Sequence, residues 1–245
     1  MATAGGSIVT STVYHFSGLV VYCYGLFYNN ILVNPKMDQH FESRGVPRDD
    51  YGMYKFLTMW NLVFQLTYFF ICCVADLVTS SGAHSPVTRK IAAFRDWFLA
   101  AVAFPIGTLV VVMFWSIWAV DRELVFPKIL DEFFPSWLNH VMHTTVLPIL
   151  VLDMFLVKHR YPSKTSGFLG LIAVGLSYLL WILWLGFVAE IWVYPIFQVL
   201  SGPAFVGLLL VACVLLLSLY VIGEQLAKFF WRGQADYDFD TEKLE

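Results

Sequence analysis

Long apolar runs alternate with short polar stretches along this chain, and the runs set its architecture. Six windows are long and apolar enough to cross a bilayer: about 13–33, 54–75, 97–120, 137–157, 167–189 and 203–223. A membrane-spanning helix needs roughly 20 such residues. The apolar positions are continuous and show no period of two, so the pattern predicts helices and not barrel strands. The expected fold is therefore all-α, a polytopic bundle of six transmembrane helices in one domain over residues 1–232. An acidic tail follows over 233–245. The first window is the weakest, since it carries His15, Ser17, Asn29 and Asn30. It has neither a basic n-region nor a small-residue cleavage site, which reads as a retained helix and not a signal peptide. The longest predicted loop is 34–53.

Composition narrows the class further. Hydrophobic types make up 59% of the 245 residues and charged types 13%, against roughly 45–50% and 25% in soluble domains. Mean hydropathy is +0.69. A chain this short cannot bury such a surplus in a core, so soluble and disordered classes are excluded. A net charge of -3 offers no footprint for nucleic acid. Of the 15 basic and 18 acidic residues, only Lys55 and Asp153 fall inside the windows. Nine basic residues lie on the side of the 76–96 loop, the 158–166 loop and the tail, against six on the other side. The positive-inside rule then places both termini in the cytosol. Cys23, Cys72, Cys73 and Cys213 all lie within windows, where packing thiols are expected and no outer-loop disulfide forms.

The informative residues are the polar exceptions, because polar groups in a bilayer are costly. Thr58, Asn61 and Gln65 stand at i, i+3 and i+7, within about an 80° arc of one helix. Interhelical hydrogen bonding accounts for many such stripes. In the fourth window Asn139 and His143 share a face, as do His140 and Thr144, and Pro148 frees the Thr144 carbonyl. Counted from Tyr54 and Trp137, Thr58 lies about 6 Å and His143 about 9 Å below the outer boundary. A hydroxyl and an imidazole at one depth are the minimum for a base-activated oxygen nucleophile, if the two helices are neighbours. Asp153 is about 15 Å along the helix from His143 and cannot orient it. Asn139 and Asn61 are the candidates to orient the imidazole or to hold an oxyanion. Asp121, Glu123, Asp131, Glu132 and Glu190 lie near enough to the outer boundary to reach in, with nothing to select among them. No G-x-S-x-G elbow is present, which excludes an α/β-hydrolase. Lys55 and Arg122 are candidates to fix a substrate carboxylate at the interface, although a lysine there more commonly snorkels.

Several stretches match one known family. They are Lys55-Phe56-Leu57-Thr58, Arg95-Asp96-Trp97, Ala103-Phe104-Pro105, Asp121-Arg122-Glu123 with Pro127-Lys128, Tyr161-Pro162-Ser163 and Trp192-Val193-Tyr194-Pro195. The most specific is Trp137-Leu138-Asn139-His140, continued by Met142-His143-Thr144-Thr145-Val146-Leu147-Pro148. The chain resembles, over about 54–195, the family of the androgen-induced gene product and the androgen-dependent TFPI-regulating protein. Members are multi-pass hydrolases of fatty acid esters of hydroxy fatty acids. The resemblance implies Thr58 as nucleophile and His143 as its partner, an acyl-threonine intermediate, a lipid substrate, and no cofactor or metal. It also implies the cell membrane as location, with the endoplasmic reticulum as the alternative. Residues 1–50 carry no matching motif.

Three rivals remain at this stage. A zinc hydrolase needs three protein ligands, and only His15, His140 and His143 are intramembrane histidines, with His15 at the opposite leaflet. A bis-histidine haem carrier meets the same depth mismatch. A non-enzymatic lipid-binding or transport bundle could use the same polar stripe, although no charge-bearing broken helix supports a transporter.

Overall fold

The computed structural model describes residues 7–45, 51–80 and 85–232, so the acidic tail lies outside the described residues. Ten α-helices are described: α1 (Ile8–Tyr28), α2 (Asn34–Ser43), α3 (Leu57–Ser80), α4 (Pro86–Phe98), α5 (Phe104–Val120), α6 (Ser136–His143), α7 (Val146–Leu156), α8 (Lys164–Phe187), α9 (Ile196–Val199) and α10 (Gly202–Phe230). No strand occurs among the described residues. Five continuous helical stretches are long and apolar enough to span a membrane, and α6 with α7 makes a sixth bent by 50°. The protein is thus an all-helical, multi-pass integral membrane protein.

Two boundaries differ from expectation, both because the helix runs on through a proline without ending there. The 34–53 stretch is not all loop: α1 continues through a π-helical turn, Asn29–Val33, into α2. The 76–96 stretch is likewise largely helical. There α4 continues through a second π-turn, Leu99–Ala103, into α5. Each π-turn lies just before a proline in the first turn of the next helix, Pro35 or Pro105. Proline donates no hydrogen bond and crowds the carbonyl four residues earlier, and a wider turn relieves both defects. Serine side chains start three of the spans. Ser7, Ser85 and Ser163 each accept the N–H three residues on, at 3.2, 3.2 and 3.3 Å.

Helices α1, α3, α6 and α7 pack around a shared core that includes Tyr22, Met59, Leu62, Phe69, Leu138 and Leu150. Helices α8 and α10 form the outer wall and leave large apolar side chains uncovered, among them Leu169, Leu180, Leu210 and Val214. That exposure is what lipid contact requires.

One end of the bundle is closed by a buried polar network. His15 of α1 meets Asp76 of α3 at 2.6 Å through Nδ1 and Asp153 of α7 at 2.8 Å through Nε2. The Tyr68 hydroxyl donates to Asp153. His159, in the loop after α7, meets Asp153 at 2.9 Å and Asp96 at 2.8 Å. Arg95 donates to Asp96 from Nε and Nη2, and the Arg160 amide donates to its other oxygen. Burial pushes the His159 pKa down, but the hydrogen bonds to Asp153 and Asp96 outweigh it and hold the imidazole above its ordinary value. A group whose folded pKa is raised contributes its stability below the unfolded pKa and loses it as pH rises through the folded one. Thermal stability in detergent is therefore expected to fall between neutral and alkaline pH, and His159→Gln to flatten that decline. An unchanged slope in His159→Gln would remove His159 as its source.

Candidate active site

The opposite end of the bundle brings Thr58 and His143 together. Thr58 is the second residue of α3, and His143 is the last residue of α6. Thr58 Oγ1 lies 3.2 Å from His143 Nε2. Nδ1 of the same ring faces Asn139 Oδ1 at 2.7 Å and the Asn139 carbonyl at 3.1 Å. Both partners are acceptors, so Nδ1 carries the hydrogen. Nε2 is left with its lone pair toward the threonine hydroxyl, the orientation a general base requires. Phe114 of α5 lies flat against the ring, with centroids 3.7 Å apart and planes 11° from parallel. The imidazole is thus fixed in plane by Asn139 and in depth by Phe114.

Local sequence explains why His143 ends a helix. Thr144 and Thr145 both donate their amides to the His140 carbonyl, at 2.9 Å, and the chain then turns into α7. Pro148 sits in the first turn of α7, where a missing N–H costs nothing. The His143 carbonyl at the break accepts Trp115 Nε1 at 2.8 Å. His140 faces away from Thr58 and pairs with Thr144 at 3.0 Å.

Thr58 is fixed through its neighbour. The Leu57 amide donates to the Tyr178 hydroxyl at 2.9 Å and to the Tyr194 hydroxyl at 3.2 Å. Tyr178 in turn donates to the Lys55 carbonyl. These two tyrosines, from α8 and from the stretch before α9, are the supporting residues that sequence reasoning missed. Tyr194 stood within a matched motif and gave a signal. Tyr178 lies in an apolar run and gave none.

The remaining polar stripe of α3 has another use. Gln65 Nε2 donates to Asn61 Oδ1 at 2.9 Å and to the Ala103 carbonyl at 3.0 Å. Asn61 and Gln65 therefore tie α3 to the π-turn before α5. Gly107 allows that approach, since a Cβ there would stand 2.8 Å from Gln65 Nε2. Of the two asparagines read from the sequence, Asn139 holds the imidazole and Asn61 is bonded into this tie.

Thr58 and His143 open into a cavity of about 640 Å³. Its walls are almost wholly apolar, with Leu109, Met113 and Phe114 from α5 and Leu171, Leu176 and Leu216 from α8 and α10. Lys55 and Asp38 are the charged residues among its lining. Arg122, paired with Lys55 in the sequence reading, is placed elsewhere. Its guanidinium bonds Asp131 at 2.8 Å and the Phe126 carbonyl at 3.3 Å and stacks on Trp118 at 4.4 Å. It braces the 121–132 loop and is not among the cavity's lining residues.

The histidines considered as metal ligands also separate. Among the described residues, His15, Cys72 and Asp153 bring ligand atoms within 4.8 Å of one another, at the end far from Thr58. His15 already spends both nitrogens on Asp76 and Asp153. His140 and His143 do not join this group.

The chain was compared with known proteins. It is 39% identical to human androgen-induced gene 1 protein over 198 residues, covering 78% of this chain and 83% of the relative. Against androgen-dependent TFPI-regulating protein it is 35% identical in mouse and 33% in human, with 91% of this chain and 94% of each relative covered. No solved structure matches the chain. The sequence profile of the FAR-17a/AIG1-like protein family matches residues 10–228. With nearly the whole bundle inside that match, the Thr58 and His143 helices included, the chain belongs to the FAR-17a/AIG1-like protein family.

Proposed function

We propose that this protein is an intramembrane ester hydrolase of the threonine type, acting on fatty acid esters of hydroxy fatty acids. The observation that carries the reading is the Thr58 Oγ1–His143 Nε2 pair, 3.2 Å apart, at the wall of a large apolar cavity. His143 takes the Thr58 proton as the oxygen attacks the ester carbonyl. The oxygen forms a C–O bond, the carbonyl becomes an oxyanion, and its collapse expels the hydroxy fatty acid, which leaves with the proton from His143. Water activated by His143 then cleaves the acyl-threonine and restores the hydroxyl. The oxyanion develops beside the N-terminus of α3, at the positive end of its dipole, where the Leu57 amide bonds Tyr178 and Tyr194 and the Met59 and Trp60 amides bond the Phe56 carbonyl, so the Thr58 amide is the donor assigned to it. The Thr58 amide belongs to that turn. Tyr178 and Tyr194 set the position of this backbone through Leu57. Asn139 orients the imidazole as a neutral amide, so it fixes the tautomer without adding charge.

The substrate class is inferred from the cavity and from the family resemblance. An apolar space beside a polar mouth suits an ester with one long chain and one carboxylate-bearing chain. Lys55 lies one turn before the nucleophile and lines the mouth, within reach of such a carboxylate.

Thr58→Ala is expected to abolish ester hydrolysis, and His143→Ala to lower kcat by about 10²–10⁴. A fluorophosphonate probe, mapped by mass spectrometry, is expected to label Thr58 and to lose that adduct in His143→Ala. Normal hydrolysis by Thr58→Ala would overturn the mechanism. Asn139→Ala removes one hydrogen bond to the base and should reduce kcat about tenfold with little change in KM. Lys55→Met should lower kcat/KM for a carboxylate-bearing ester relative to its methyl-blocked analogue. An unchanged ratio would exclude Lys55 from substrate recognition.

A further inference from the structure

The cavity at Thr58 does not end inside the bundle. It runs between α8 and α10, where Ile172, Leu176, Cys213 and Leu217 line it. These residues are exposed on the outer surface as well, Ile172 at 47%, Leu176 at 49% and Leu217 at 40%, with Cys213 also exposed. A residue that lines a cavity and also faces outward marks an opening. This one lies along the middle of two spanning helices, so it faces lipid and not water. Deeper in, the two helices approach closely at Gly175, where an added Cβ would stand 2.8 Å from Leu216 Cδ2. Glycine at this point makes room for the Leu216 side chain, so a larger residue would push Leu216 into the cavity that both residues line. Ile172, Leu176, Cys213 and Leu217 carry no charge, whereas the charged lining residues Lys55 and Asp38 come from the elements before α3.

We propose that the space between α8 and α10 is the acyl-chain arm of the site and its portal to the bilayer. The esterified fatty acyl chain lies in it, past Gly175 and Leu216, with its far end at Leu176, Cys213 and Leu217. The carboxylate-bearing branch lies toward Lys55. This assignment rests on the hydrolase reading above. It makes the residues at positions 175 and 213 determinants of acyl-chain length.

The test compares two esters of one alcohol, a short-acyl ester that ends before Gly175 and a long-acyl ester that extends beyond it. In Cys213→Trp, the ratio of long- to short-acyl kcat/KM is expected to fall at least about tenfold. Gly175→Ala should move the ratio the same way, while Leu210→Trp, on the lipid face of α10 away from the cavity, should leave it unchanged. A ratio that stays constant in Cys213→Trp, or that falls equally in Leu210→Trp, overturns the proposal. A second measurement does not depend on turnover. A long-chain ester with a terminal diazirine is photolysed with Thr58→Ala protein, and the adducts are mapped. Adducts on α8 and α10 at 172–176 and 213–217, competed by unlabelled ester, support the arm. Adducts confined to other lipid-facing helices, or not competed, overturn it. If the unaltered protein cleaves neither ester, the hydrolase reading fails, and the photolysis result still decides whether an acyl chain occupies this space.

Discussion

Asp153 is the group on which the bundle turns. It is fully buried, it lies in a spanning helix, and a lone carboxylate there would be prohibitively costly. Its oxygens take His15, His159 and Tyr68, and the two histidines extend the network to Asp76 and Asp96. Both nitrogens of each imidazole are spent on carboxylates, and Arg95 pairs with Asp96. Satisfying one charge in this way commits α1, α3, α4, α7 and the loop after α7 to a single arrangement.

That arrangement fixes the far end of the same helices. α3 carries Asp76 and Tyr68 toward the network and Thr58 at its other end. α7 carries Asp153 and leads back through the break at Thr144–Thr145 to His143. The dyad meets because two helices clamped at one end are forced into register at the other. The bend in the fourth span then turns His143 toward α3, and Trp115 satisfies the carbonyl that the bend exposes. The proline-associated π-turn before α5 serves the same end. It offers the Ala103 carbonyl to Gln65 and so locks α3 against the helix that carries Phe114, the residue stacked on His143.

The pattern of apolar runs determined the class and the spans, and it placed Thr58 and His143 at one depth, while the family resemblance singled them out as a pair. Class, spans and depth each depend on local properties: run length against bilayer thickness, spacing along one helix, and depth from a boundary. Asn139 was legible as the orienting residue for the same reason, because i and i+4 on one helix must be neighbours. Thr58 and Asn61 lie on one stripe in the sequence, and only the packing places the Thr58 hydroxyl beside His143 and ties Asn61 to Gln65. Arg122 shares an interfacial depth with Lys55, but its partners Asp131 and Trp118 come from the folding of the 121–132 loop, which no periodicity encodes. In the network around Asp153, His15 lies 61 positions from Asp76 and 138 from Asp153, and the tyrosine anchor joins Leu57 to Tyr178 over 121 positions; the opening between α8 and α10 likewise joins separate helices. Sequence sets which residues can lie at one depth and on one face; only the tertiary structure decides which of those faces meet, because helix contacts are chosen by packing and by the mutual satisfaction of buried polar groups.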